Sequence, residues 1–212
     1  MRYAATRVGV LLSGCGTHDG TDVGEAILTL LELERRGVRP VPLAPPGPQM
    51  HVVDHTSGAE AEGEVRDMAT EAARLTRGRI GRLGETPAEG LGALIIPGGS
   101  GTAKNCLQGF LQPGVARTLR PEVESLLRHF LAARKPIGLL SVANFLLVGL
   151  VDSPVLPARA GMPAEPLVVD PEHRLVYAPA FLTAGTLAEV GEGVAGLVEL
   201  VLHYAAEARA VP

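Results

Sequence analysis

A chain of 212 residues that is 46% apolar can close one α/β core and leaves little room for a second. A net charge of −4, from 19 basic against 23 acidic residues, and an aromatic content of 3% exclude the basic, stacking surfaces that nucleic acids require, and leave no footprint for an anionic membrane. Two cysteines cannot frame a disulfide network or a four-ligand zinc site, and a mean hydropathy of +0.22 with aperiodic glycine excludes disordered and collagenous chains.

In chain order, residues 8–12 form a short apolar run ended by Ser13-Gly-Cys-Gly16, the pattern of a buried strand and a turn. Residues 22–36 carry helical apolar spacing and stop at Gly37. A weaker strand over 38–44 contains Pro40 and Pro42, which cannot donate to a ladder. Strand, helix and strand in this order open a parallel sheet. A helix over 64–77, a strand over 93–96 running into Pro97-Gly-Gly-Ser-Gly101, a helix over 121–134 and a strand over 137–140 follow. Ser141 stands at the end of that last strand, before a helix-like apolar stretch over 142–150. The segment 152–166 has no clear period, 167–169 and 174–177 read as a hairpin, and 186–208 supplies a closing helix. With no repeat, linker or charge block, residues 1–212 are read as one domain. No run approaches the ~18 apolar residues of a membrane span, and residues 1–7 lack a signal-type core, so a soluble cytoplasmic protein is expected.

Ligands of open parallel sheets bind beyond the carboxyl ends of the strands, where this chain places 13–16, 98–102 and Ser141. Gly14, Gly16 and Gly20 miss the dinucleotide spacing by one residue, and residues 98–104 lack the phosphate-loop order, so no cofactor is expected. The glycines at 98–101 serve either tight turns or an oxyanion pocket. His51 and His55 fall in an extended segment, where four residues span ~13 Å, too far for one metal. Solvated or structural histidines and no metal site are therefore expected. Asp22 and Glu25 have capping-box spacing, which makes Glu25 a helix cap; equally, a carboxyl in that first turn overhangs the strand ends and could move protons. Ser141 lacks the G-x-S-x-G signature and any histidine adjacent in sequence, so it is either an elbow nucleophile or a small residue at a crowded strand end.

Several stretches together resemble the ElbB-like branch of the PfpI-type, class I glutamine amidotransferase-like superfamily, whose animal members are mitochondrial. They are VLLSGCGTHDG over 10–20 with Glu25-Ala26, PQMHVVDHT over 48–56, EAARLTRG over 71–78, IPGG over 96–99 with Ala103-Lys-Asn105, KPIGL over 135–139 and Pro179-Ala-Phe181. The resemblance implies a flavodoxin-like three-layer αβα sandwich, mainly parallel with a hairpin, often homodimeric. It also implies cofactor-independent glyoxalase chemistry by an elbow cysteine and a first-helix glutamate, beside the amides of the Pro-Gly-Gly loop. By position, Glu25 matches the glutamate, Ser141 the nucleophile, and Gly98, Gly99, Val142, Asn105 and Cys15 the surrounding oxyanion and substrate-binding shell. Two departures stand out: Ser141-Val-Ala-Asn144 replaces the family's Cys-Ile-Ala-Pro, and the chain is shorter than its relatives between 150 and 167, a segment that borders the site.

A serine hydroxyl stays protonated where a thiol can be tuned to thiolate. The leading expectation is therefore a member with weak or no catalysis that binds a small reactive carbonyl ligand. The alternatives are an active enzyme, through Ser141 hydrolysis or Cys15 thiol chemistry, and a structural subunit acting mainly by dimerising.

Overall fold

The computed structural model describes residues 3, 6–110, 114–157, 161 and 165–210. In chain order the elements are β1 (Arg7–Leu11), α1 (Val23–Arg35), β2 (Arg39–Ala44), α2 (Met68–Leu75), β3 (Gly81–Arg82), β4 (Ala93–Ile96) and α3 (Ser100–Cys106). A small pair, β5 (Leu107–Gln108) and β6 (Thr118–Leu119), precedes α4 (Pro121–Ala132) and β7 (Ile137–Leu140). A 3-10 helix, Ser141–Leu147, then leads to β8 (Val168–Asp170), β9 (Leu175–Ala178) and α5 (Leu187–Ala210).

The main sheet runs β3-β2-β1-β4-β7-β9-β8, parallel except for the antiparallel edge strand β8. Period-two alternation divides its side chains between two cores. Val8, Val10, Ala93, Ile95, Val176 and Ala178 pack under α1, α2 and α5. Leu11, Leu94, Ile96, Ile137, Leu139, Leu175 and Tyr177 pack under α4 and the 3-10 helix. Helices on both faces make this the flavodoxin-like three-layer sandwich expected, with its small hairpin at β8–β9.

The prolines of β2 are accommodated by position. Leu43 gives its carbonyl to Leu12 just after β1, whereas Ala44 gives its carbonyl to Leu83 after β3. Even-numbered residues thus face outward, and β3 pairs only with Leu43 and Ala44, so Pro40 and Pro42 present their missing donors to an open edge. The helix expected over 64–77 starts later, because Pro48 bridges Asp67 and the Asp67 carboxylate then caps Thr70 N at 2.8 Å. The stretch over 142–150 winds as a 3-10 helix rather than an α-helix, and α3 and β3 carry too few residues to show a period. Within the shortened segment, positions 158–160 and 162–164 lie outside the described residues.

Candidate functional site

At the carboxyl ends of β1, β4 and β7 the chain brings together Glu25, Gly98, Gly99 and Ser141. Ser141 turns the corner from β7 with φ +50°, a left-handed conformation that strains a residue bearing a side chain and that nucleophile elbows use. Its Oγ accepts from Val142 N at 2.6 Å, and the residue is 5% exposed. Gly98 is glycine for a steric reason: a Cβ there would lie 2.5 Å from Ser141 Oγ and 2.6 Å from the Leu140 carbonyl oxygen. Gly99, at φ +95°, would drive a Cβ to 2.6 Å from Asp22 N.

Asp22 caps α1 as expected, its Oδ1 accepting from Glu25 N at 2.9 Å. The reciprocal half of the capping box is not made, and this corrects the cap reading of Glu25. Asp22 N instead donates to the Gly98 carbonyl at 2.9 Å, and Glu25 Oε2 accepts from Gly98 N at 2.6 Å. Glu25 is 1% exposed. Burial, and then the Asp22 charge, push its pKa up from an ordinary 4.5 to about 8, against the stabilising amides of Gly98 and Phe181. Near neutral pH it is chiefly a carboxylic acid, able to donate a proton or a hydrogen bond rather than accept one as a base. Tyr177, on β9, feels the Glu25 charge; burial and that charge raise its pKa, and its hydroxyl is buried with no hydrogen-bond partner among the described residues. Nothing local in the sequence marks Tyr177, since only strand pairing brings it towards the site.

The other expected site residues serve different ends. Asn105 is 2% exposed and its amide is committed to backbone: Nδ2 donates to the Ser13 and Asp19 carbonyls, each at 2.8 Å, and Oδ1 accepts from Met50 N at 2.7 Å. From α3 it ties together two loops, the β1–α1 and β2–α2 connections. Val142 contributes its N–H, which is engaged by Ser141. Cys15 is half-buried against the α1–α5 core, and burial, then the Glu71 and Asp19 carboxylates, raise its pKa in spite of Arg74. Cys106 is fully buried and its thiol is pushed up to about 12.

Each of the six histidines has a partner other than Ser141. His18 stacks with His55, at 5.0 Å between ring centroids, and His55 Nε2 accepts from His18 N at 3.3 Å. His51 meets Lys104 Nζ at 3.0 Å and His129 meets Lys135 Nζ at 3.3 Å, while His173 pairs with Asp170 and His203 with Glu207. His51 and His55 are thus structural partners of loops and of α3. Among the described residues no group of three His, Cys, Asp or Glu side chains could hold a metal ion, and no helix is long and apolar enough to cross a membrane.

No family model matches the sequence. The chain is 36% identical to the human mitochondrial glutamine amidotransferase-like class 1 domain-containing protein 3, over 94% of this chain and 83% of that protein. It is 35% identical to the rat mitochondrial ES1 protein homolog, over 93% and 83%. The aligned stretch with the human protein, 224 positions, exceeds the 212 residues present here, so that protein carries residues without a counterpart in this chain. Among solved structures, an Ehrlichia chaffeensis isoprenoid biosynthesis protein with an amidotransferase-like domain superposes with TM-score 0.83 at 29% identity, covering 93% of this chain and 99% of that one. A Salmonella typhimurium DJ-1 superfamily protein, at 20% identity and TM-score 0.57 over 97% and 95%, shares the fold. The cytoplasmic expectation is corrected by these relatives, which are named as mitochondrial proteins. Targeting is written in short terminal segments, so the composition of a folded domain does not carry it. Sequence identity over nearly the whole chain and the sandwich fold together make this protein a member of the ElbB/ES1-like branch of the DJ-1/ThiJ/PfpI superfamily.

Proposed function

We propose that this protein is a catalytically weak or inactive member of its branch that binds a small reactive carbonyl compound at the strand-end site. The observation that carries the reading is Ser141: it keeps the elbow conformation, yet its hydroxyl is held by its own neighbour's amide and, among the described residues, makes no hydrogen bond to an imidazole. A serine hydroxyl without a base remains protonated. Glu25, itself protonated near neutrality, offers a hydrogen bond to a carbonyl or hydroxyl oxygen rather than a site for the serine proton. The Val142 and Gly98 amides hold Ser141 Oγ and the Glu25 carboxyl in place, and these two side chains beside the Gly98–Gly99 loop supply polar groups that suit an oxygen-rich ligand.

Methylglyoxal turnover by the purified protein and by Ser141→Cys tests this. The wild type is expected to form hydroxy acid at least about 100-fold more slowly than the cysteine variant, the scale of a lost nucleophile–proton relay. Equal turnover would overturn the reading. Binding is checked by calorimetric titration with lactate, a hydroxy acid of the expected product class, which Glu25→Ala should abolish. The homodimer implied by the family is part of the same proposal. Val23, Ile27 and Leu31 form an exposed apolar stripe on α1, and Phe181 and Leu187 meet α1 at Gly24, which suits a second copy. Sedimentation of the wild type as a monomer would remove it.

A further inference from the structure

The sequence holds only two lysines, Lys104 and Lys135, among its 19 basic residues. Lys135 lines a hollow of about 320 Å³ at the amino ends of the strands. Arg7 opens β1 there, Gly90 to Gly92 lead into β4, and Ala205 and Ala208 of α5 form part of the wall. The strand-end site lies at the other end of the sheet, a strand length of roughly 15 Å away.

Three features of this hollow go together. Lys135 Nζ is 3.3 Å from His129 Nε2 and donates to the Glu89 carbonyl at 3.1 Å. A lysine ammonium has no lone pair, so His129 Nε2 faces it as an acceptor and offers a path for the ammonium proton. Burial lowers the Lys135 pKa more than the Glu89 charge raises it, which enlarges the share of free amine. Arg7 also lines the hollow and, among the described residues, its guanidinium makes no ion pair; its Nη1 lies against Gly90, where a Cβ would come within 2.9 Å.

We propose that this hollow is a second site, which takes a small carbonyl acid as an imine on Lys135, with His129 as proton acceptor and Arg7 as carboxylate anchor. Lys135 first passes a proton to His129 Nε2. The Nζ lone pair then attacks the carbonyl carbon, and the C=O π pair moves to oxygen, which takes the proton held by His129, giving an N-protonated carbinolamine. Loss of a proton from nitrogen and of the hydroxyl as water leaves the imine, with no change of oxidation state. The volume is at the lower end of ligand pockets, which limits the acid to a few carbons.

The full chain incubated with glyoxylate and cyanoborohydride, which reduces the imine to a stable amine, tests the proposal by peptide mapping. Lys104 is the internal comparison, since it also meets an imidazole but does not line this hollow. Lys135 is expected to label at least about tenfold faster than Lys104, an advantage that urea removes. Acetate, a carboxylate without a carbonyl, should slow labelling of Lys135 by glyoxylate but not by propionaldehyde. Arg7→Met should lose the preference for glyoxylate over propionaldehyde, and His129→Gln should slow both. Equal labelling of the two lysines, or acetate without effect, overturns the site.

Discussion

Glu25→Gln isolates the one buried carboxyl at the strand ends, among the described residues, whose ionisation the fold opposes. In the native state its pKa is about 8, against an ordinary 4.5 when exposed. The sign follows from proton counts: between these two values the unfolded chain has released the proton and the native chain still holds it, so stability falls as pH rises through that window. Each pH unit is worth about 1.36 kcal/mol at full slope, and since the slope weakens near each pKa the wild type should lose about 3.5 kcal/mol from this group between pH 5 and pH 8. Glutamine keeps an oxygen for Gly98 N and has no charge to bury. Urea unfolding of both proteins across that range should show the variant gaining on the wild type as pH rises, with little difference at pH 5. A gap that stays constant with pH, or a wild type that is the more stable at pH 8, would refute the argument that burial keeps Glu25 neutral.

Gly101→Ala should prevent stable folding, because a Cβ there would lie 1.9 Å from Gly20 N, a backbone atom that cannot swing away; an expected loss of more than about 3 kcal/mol is read from thermal unfolding. Asn105→Ala strands two carbonyls and one amide in two loops and should cost about 3 kcal/mol in urea unfolding. Cys15 should alkylate with iodoacetamide at pH 7 more slowly than free glutathione, and Glu71→Gln should speed it by removing one of the charges that hold the thiol protonated. A fluorophosphonate probe should leave Ser141 unlabelled, whereas labelling faster than in urea would restore the hydrolase alternative.

Much of the scaffold is legible before any coordinates, because it depends on local order. The apolar runs at 8–12, 93–96 and 137–140, the glycine stops and the Asp22 cap declare themselves within a few residues, and together they dictate a parallel sheet with covering helices. The motif residues likewise mark the strand ends. Glu25 shows where that information stops. Its spacing from Asp22 satisfies a capping box, but which amide its carboxylate takes depends on how closely Gly98 approaches, and Gly98 lies 73 residues away. Asn105 has the type and position of a substrate contact, and only the packing of two loops against α3 makes it a strut. The distribution of histidines is decided in the same way: all six are polar and plausible as bases in one dimension, and each is committed elsewhere once the chain closes. The order of the elements and a serine at the turn after β7 are legible in one dimension, since they rest on residue identity and near-neighbour spacing, whereas the absent thiol at that turn is what the family resemblance implies. The raised pKa of Glu25, the Val142 amide that holds Ser141 Oγ and the surroundings of Lys135 follow only from folding, because burial and charge are sums over neighbours that the chain brings together only when folded.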